Sequence, residues 1–251
     1  MPTIKIGAVP PSLVDSYLKT TRAKVHLDAL RNEIDLFRKS KPCSVFRKDN
    51  VKRGRYEIRI KIANTPGDIP LILGDLLYCL RSSLDQLVWS LARLTTSYPK
   101  GTKFPILEKR NAGTRKTFST CTAGVPARAA KLIDSLQPYD RAEPSAHLLW
   151  RLNRLCNIDK HRRIPVHSDV VTFDFPLMPH NLVRSIEFNH DQQMMSVPLG
   201  LKGQMALDPK VSFNVIFGDI SDGISCDFDG VANIYNFVAD SVIPRFTRFF
   251  K

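Results

Sequence analysis

Six leucines spaced three and four residues apart dominate the segment from residue 68 to residue 94. They are Leu73, Leu77, Leu80, Leu84, Leu87 and Leu91. This spacing returns each side chain to the same side of an α-helix, so the segment is predicted to form a long helix with one apolar face. The chain is therefore built around at least one long core-forming helix.

Other segments show the same helical spacing. Apolar residues lie at Ala23, Leu27, Leu30, Ile34 and Phe37, which predicts a long helix over residues 12–39. A short helix is predicted between Pro126 and Pro138, a third strong helix over 146–163, and an apolar helix over 230–250 with an interruption at Pro244. Residues 101–123 are rich in Thr, Gly, Lys and Arg, and we predict a loop with a short extended piece there.

Strand patterns fill the remaining segments. Tyr56, Ile58, Ile60 and Ile62 alternate with charged residues, and with the run around Val45 they predict a β-hairpin whose turn lies between residues 49 and 54. Residues 164–175, 182–190, 194–201 and 211–220 are strand-like and are separated by Pro, Gly, Asn and Asp.

These elements define an α+β fold. We predict a helical bundle of three to five helices with a basic β-hairpin, and a C-terminal antiparallel sheet lobe closed by a final helix. The composition shifts near Pro165, so the predicted regions are 1–165, helical with an inserted hairpin, and 166–251, strands plus the final helix, packed as one body. A chain of 251 residues is long enough to bury a core of this kind.

The chain is strongly basic, with 37 Lys and Arg against 24 Asp and Glu and a formal charge of +13. RNA or another polyanion is therefore the first class of partner to consider. The hairpin concentrates candidate nucleic-acid-binding residues: Arg47, Lys48, Lys52, Arg53, Arg55 and Arg59. The alternative is that the charge serves solubility alone.

The five cysteines are odd in number and widely spaced, without a CxxC pair. This argues against a disulfide framework and against a metal site, and no cofactor is implied. The first residues lack a continuous apolar run, and no segment reaches the length of a membrane span. We therefore expect a cytoplasmic protein without a membrane partner.

One side of the predicted helix at 146–163 gathers chemically versatile side chains. Trp150, Arg154, Asn157 and His161 follow one another at helical spacing, with Lys160 beside them. An imidazole can move a proton at neutral pH, and cations can stabilise a phosphate, so His161, Arg154, Asn157 and Lys160 are candidate catalytic residues. The alternative is a solvated helix face with a histidine at its C-terminal end.

The same two helices also place charges near their apolar faces. Arg81 lies at the border of the leucine face, one turn before Asp85, and Asp159 projects onto the apolar face of the later helix. Because a charge in such a place needs a partner, we predict ion pairing of Arg81 with Asp85 and between helices with Asp159.

Four segments in this order carry a family resemblance: GDLLYCLRSSLDQLVWSLA (74–92), FPI (104–106), LQPY (136–139) and LLWRLNRLCNIDKHR (148–162). The chain resembles an uncharacterised bacterial family with a GDxLxxLRSALDHL helix and an LNxLxNIDKHR helix, over roughly residues 15–165. That family brings no established activity with it.

The chain also resembles, more distantly, HEPN domains, helical proteins of toxin–antitoxin, phage-defence and RNA-processing systems. That resemblance implies a homodimer and a metal-independent ribonuclease site built from an Arg and a His, here Arg154 and His161. At the other helix the His expected after Arg81 is replaced by Gln86, which cannot carry a proton. The predicted function is therefore an RNA-associated HEPN-like protein, with a non-catalytic module that binds nucleic acid or protein as the alternative.

Overall fold

The structure is a computed structural model that describes residues 13–174, 186–189, 194–205, 210–219, 221 and 223–250. Six α-helices lie within the described residues: α1 (Val14–Lys39), α2 (Asp68–Ala92), α3 (Ala112–Cys121), α4 (Ala127–Asp134), α5 (Leu148–His161) and α6 (Phe228–Asn236). A π-helical turn, Phe237–Val242, and a 3₁₀ helix, Ile243–Phe249, continue α6 toward the C-terminus. The predicted α+β class is confirmed, including the closing helix after the strands.

Within the described residues, seven strands form two antiparallel sheets. They are β1 (Cys43–Asn50), β2 (Arg55–Ile62), β3 (Val166–Asp174), β4 (Glu187–Asn189), β5 (Met194–Pro198), β6 (Lys210–Asp219) and β7 (Ile224–Cys226). One sheet has the order β1-β2-β5-β4 and the other β3-β6-β7. The predicted hairpin is β1 and β2, joined by a short 3₁₀ turn at Val51–Arg53 and by Gly54 with a positive φ of 62°. Parts of the predicted strands, residues 175, 182–185, 190 and 220, lie outside the described residues.

The chain divides into two compact units. The helical unit contains the described residues up to Asn32, those of Gly67–Pro165 and those from Phe217 onward. The sheet unit contains Glu33–Pro66 and the described residues of Val166–Ile216. The predicted boundary at residue 165 is thus one of the points at which the chain passes between units, and the hairpin shares a sheet with β5 and β4.

The helical unit is held by the leucine face of α2. All six leucines of that face are completely buried, and α5 packs against α2 through Leu149, Leu152 and Leu155, which are also fully buried. Burying a leucine side chain contributes about 1.5–3 kcal/mol, so this interface supplies much of the unit's stability.

The four-stranded sheet has a small core of its own on one face. Tyr56, Ile58, Met195 and Val197 are buried there, because Tyr56 lies opposite Val197 and Ile58 opposite Met195 in the antiparallel register. The alternate residues of β1 and β2 point to the other face, since successive side chains of a strand alternate. The register thus separates an apolar face from a charged one.

The segment predicted as a loop between residues 101 and 123 contains a helix, so that part of the prediction was wrong. α3 begins after Asn111, whose side chain accepts a hydrogen bond from the Thr114 amide at 2.9 Å while the Thr114 hydroxyl accepts one from the Asn111 amide at 2.9 Å. This reciprocal capping box satisfies amides that would otherwise lack partners in the first turn. It compensates for a composition of low helix propensity.

Candidate functional site: a cationic groove on the four-stranded sheet

The charged face of the hairpin forms one wall of a cavity of about 880 Å³. The cavity is lined by Phe46, Lys48, Glu57, Arg59, Met194 and residues 60–65 and 166–168. We call this cavity the sheet groove. All of its lining residues belong to the sheet unit.

Strand register brings the groove's cations together. Phe46 lies directly opposite Arg59, Lys48 opposite Glu57, and Ser44 opposite Lys61, so all six side chains project from the same face. Lys48, Arg59 and Lys61 are exposed, and against their three positive charges the lining contains one carboxylate, Glu57. The Glu57 carboxylate accepts a hydrogen bond from Asn50 Nδ2 at 2.7 Å. The groove is therefore a surface of positive charge.

Two features of the groove were not found by sequence reasoning. Phe46 is 55% exposed within the groove, and His167 at the start of β3 lines the same cavity as the hairpin cations. Alternation along β1 could have revealed the exposure of Phe46, because Phe46 and Lys48 are two residues apart and therefore project from the same face. The position of His167 depends on tertiary packing, which no local pattern reveals.

Five of the six predicted nucleic-acid-binding residues fall into three groups. Lys48 and Arg59 line the groove, while Lys52 and Arg53 lie exposed in the hairpin turn. Arg47 lies opposite Ile58 and projects from the other face of β1. The hairpin cations thus do not form one continuous surface.

Arg55 differs from the other hairpin cations because its guanidinium is held within the sheet. It donates to the Ser196 hydroxyl at 3.2 Å and to the Ser196 carbonyl at 2.8 Å, and its Nη1 lies 3.3 Å from the Glu187 carboxylate. Only 18% of its side chain is exposed. Arg55 therefore joins β2 to β5 and β4 and has few donors left for a ligand.

The candidate catalytic residues lie on the outer side of α5. Arg154, Asn157, Lys160 and His161 are all exposed, and Trp150 is half-buried. Arg154 and His161 are seven residues apart, which is about 10 Å along a helix axis. The two side chains can therefore contact one phosphate only by reaching toward each other along the helix.

The ion-pair prediction is correct for one pair and wrong for the other. Arg81 Nη2 lies 3.0 Å from Asp85 Oδ1, and the Arg81 side chain is 14% exposed. The same Nη2 donates to the Phe104 carbonyl at 2.6 Å, and Asp85 accepts from the Phe104 amide at 2.8 Å. The pair thus holds both backbone groups of Phe104, the first residue of the FPI segment.

Asp159 does not pair with Arg81 and is exposed. Its carboxylate instead lies over Gly74 of α2, where a Cβ atom would be 2.7 Å from both carboxylate oxygens. Partial burial and, secondarily, the nearby Asp75 raise the pKa of the Asp159 carboxyl. The helical projection placed Asp159 on the apolar face, but the last turn of α5 is at the edge of the buried interface.

Two further residues of the resembling segments, Gln137 and Cys156, also make contacts inside the helical unit. The buried Gln137 of the LQPY segment donates from Nε2 to the Pro105 carbonyl at 2.9 Å and accepts from the Leu107 amide at 3.0 Å. The Cys156 thiol lies 3.5 Å from the Leu77 carbonyl, and burial raises its pKa to about 12. The four resembling segments are therefore connected by side-chain contacts within the helical unit.

Gln86, where the resemblance expects a histidine, is half-buried, and its Oε1 is buried without a hydrogen-bond partner among the described residues. Within the same residues, His, Cys, Asp and Glu side chains form no group of three or more that could hold a metal ion.

The fold and site together define an α+β protein with a motif-bearing helical unit and a sheet unit that carries a cationic groove. Comparison of the chain with protein-family models, with curated proteins and with solved structures finds no match. Of the helices described, none is long and apolar enough to cross a membrane.

Proposed function

We propose that the protein binds nucleic acid through the sheet groove. The observation that carries the proposal is that Lys48, Arg59 and Lys61 project from one face of the sheet into a cavity of about 880 Å³. Phosphates bind where several cations can reach them at once, and release of counterions then drives association. The charge of +13 on the whole chain adds a long-range attraction for the same class of ligand.

The proposal is tested with two triple variants that change the net charge equally. The groove variant is Lys48→Gln, Arg59→Gln and Lys61→Gln, and the control is Lys109→Gln, Lys116→Gln and Arg128→Gln, three exposed cations of the helical unit. Each variant lowers the formal charge by three, from +13 to +10. Binding to a labelled RNA is measured by fluorescence anisotropy over a series of salt concentrations.

Each phosphate contact on a single strand contributes roughly 0.7 to the slope of log affinity against log salt, so three contacts contribute roughly 2. We expect the groove variant to lose affinity and to lose a slope of about this size, while the control keeps its slope. Equal losses in both variants would mean that binding reflects net charge alone. Failure of the wild-type protein to bind would refute the proposal and favour a protein partner or a solubility role.

A ribonuclease site on α5 is a second candidate, supported by the common exposure of Arg154, Asn157, Lys160 and His161 on one helix. In such a site His161 takes the proton from a ribose 2′-hydroxyl, and the 2′-oxygen attacks phosphorus. The bond to the 5′-oxygen breaks, and that oxygen takes a proton from water or from the imidazolium, which leaves a cyclic phosphate. Arg154 and Lys160 stabilise the charge on the phosphorane, and Asn157 orients the hydroxyl.

The test of this candidate is cleavage of a mixed pool of labelled RNAs in EDTA by wild-type protein and by His161→Ala. His26→Ala, a change of the same type on α1, is the control. Cleavage that survives in the control and disappears in His161→Ala supports the candidate. Absence of cleavage by the wild-type protein, with binding intact, leaves the groove as the functional site.

A further inference from the structure

Phe46 stands out within the sheet groove because phosphate binding gives no reason for an exposed aromatic ring. It lies opposite Arg59 on β2, and Arg59 in turn lies opposite Met194 on β5. Neighbouring strands are about 4.8 Å apart, so an aromatic ring, a guanidinium and a thioether form one row across three strands. Met194 is 8% exposed and lies at the buried end of this row, whereas Phe46 is open to solvent.

The exposed end of this row suits the face of a nucleobase. A base offers a flat π-surface that stacks on an aromatic ring such as that of Phe46. Exposing a phenylalanine to water has a cost that a bound base would remove. A base stacked on Phe46 would cover the exposed ring.

The cations are placed to hold the backbone on both sides of such a base. Lys48 follows Phe46 by two residues on β1, and Lys61 follows Arg59 by two residues on β2, where the antiparallel direction places it on the opposite side of the row. Two residues along a strand span about 7 Å. A strand that crosses the row thus meets a positive charge before and after the stacked base.

Only an unpaired strand can use this arrangement. In a duplex the base faces are stacked on one another, and the grooves present base edges only. A ring within a concave surface cannot reach a base face unless the base is splayed out of the stack. The geometry therefore selects against double-stranded ligands.

We propose that the sheet groove binds single-stranded nucleic acid by stacking an unpaired base on Phe46, with the flanking phosphates on Lys48, Arg59 and Lys61. This inference rests on the proposed nucleic-acid binding and names its ligand class. Among the described residues that line the groove, Glu57 is the single carboxylate; it lies opposite Lys48, so it opposes phosphate on that side of the row.

The experiment compares wild-type protein with Phe46→Ala, Phe46→Tyr and Arg59→Gln, all as the full chain. Anisotropy is measured with single-stranded RNA and DNA of about ten nucleotides, with the corresponding duplexes, and with an abasic oligomer that has the same number of phosphates. Because Phe46 is 55% exposed, its replacement removes little buried contact, and circular dichroism verifies that each variant is folded.

We expect Phe46→Ala to weaken single-strand binding about 5- to 150-fold without changing the salt slope, since the loss of one base-stacking contact has this size. Binding of the abasic oligomer should be unaffected, and Phe46→Tyr should remain close to wild type. Arg59→Gln should weaken the binding of every ligand and reduce the salt slope for single strands by roughly 0.7. Glu57→Gln should tighten binding, because it removes a like charge from the path of the phosphates.

The possible failures of the two proposals can be told apart. If Arg59→Gln weakens binding but Phe46→Ala does not, nucleic-acid binding stands and base stacking is wrong. Equal affinity for duplex and single strand would overturn the single-strand inference in the same way. If the wild-type protein binds none of the ligands, the proposed function itself fails.

Discussion

The contact between Asp159 and Gly74 can be tested by giving Gly74 a side chain. Gly74 lies inside α2, and a Cβ atom there would be 2.7 Å from the two Asp159 oxygens and 2.9 Å from Cγ. These distances are shorter than a normal van der Waals contact, so Gly74→Ala must displace the carboxylate. The same substitution also removes a glycine from a helix interior, which on its own stabilises the helix.

The two effects have opposite signs and can be separated by changing Asp159. Replacing Gly by Ala in a helix is worth about 1 kcal/mol, whereas forcing an extra carbon into a packed site costs about 1–3 kcal/mol. Because the obstructing atoms are the end of the exposed Asp159 side chain, the lower part of that range applies, about 1–2 kcal/mol, and we expect Gly74→Ala to be neutral or to destabilise the wild-type chain by up to about 1 kcal/mol. In an Asp159→Ala background the obstruction is gone, and the substitution should stabilise by about 0.5–1 kcal/mol.

Urea unfolding of the four proteins, followed by far-ultraviolet circular dichroism, measures this double-mutant cycle. The coupling free energy should be about 0.5–2 kcal/mol, the sum of the destabilisation avoided and the helix stabilisation recovered. A coupling below about 0.5 kcal/mol is what independent sites give, and it would refute the contact between Gly74 and Asp159. Asp159→Asn, which keeps the shape of the side chain, serves as the control and should retain the coupling.

Three further results follow from the helical unit. Arg81→Ala should lower the free energy of unfolding by about 3 kcal/mol in urea titrations, because it leaves the Asp85 carboxylate and the Phe104 carbonyl without their cation; a loss below about 1 kcal/mol would show the pair to be a surface one. Burial and, secondarily, Arg141 lower the pKa of His147, whose neutral Nδ1 accepts a hydrogen bond from the Leu149 amide at 3.1 Å. The contribution of His147 to stability is therefore complete above about pH 6.5 and is lost as the pH falls through the folded-state pKa. His147→Asn keeps a capping acceptor and should show a smaller loss of melting temperature between about pH 7.5 and pH 5 than wild type; equal losses would exclude this residue. The pKa of the Asp159 carboxyl is raised rather than lowered, so the folded state binds its proton more tightly than the unfolded state does. Asp159→Asn should therefore stabilise the protein at neutral pH, and this advantage should disappear below about pH 4.

Local periodicity predicted most of the elements. The leucine spacing of α2 and the alternation of β2 each set which side chains are buried, and all six leucines, with Tyr56, Ile58 and Ile60, are buried as expected. Such patterns are reliable because one face of an amphipathic element has to leave water wherever the element finally packs. The hairpin turn followed from its position between two such patterns.

The helix α3 was missed because its stability comes from its first turn rather than from an apolar face. Cys121 is its one buried residue, so hydrophobic spacing gave no signal. The signal that was present is Asn111 followed three residues later by Thr114, a polar pair that can cap a helix. Pattern reasoning based on apolar residues alone overlooks helices of this kind.

The sequence also did not reveal which distant residues contact one another in the folded chain. Sequence spacing correctly paired Arg81 with Asp85, because residues four apart on a helix are neighbours whatever the tertiary fold. It could not reveal that both groups hold the Phe104 backbone, or that β5 would complete the hairpin sheet beside β2. Those contacts join residues 19 to 141 positions apart, and only the folded chain brings them together.

Two sets of residues differ in their surroundings: those that pack the helical unit and those that line the sheet groove. Arg81, Asp85, Gln137 and Asp159 belong to the resembling segments, and each contacts another element of the helical unit. Residues that hold backbone groups in place have little freedom left for a substrate, so these four side chains serve the packing of the helical unit. The groove residues differ, since Lys48, Arg59 and Phe46 are exposed. Substitutions there should change binding and leave unfolding nearly unaltered, and the reverse should hold for Arg81, Asp85, Gln137 and Asp159.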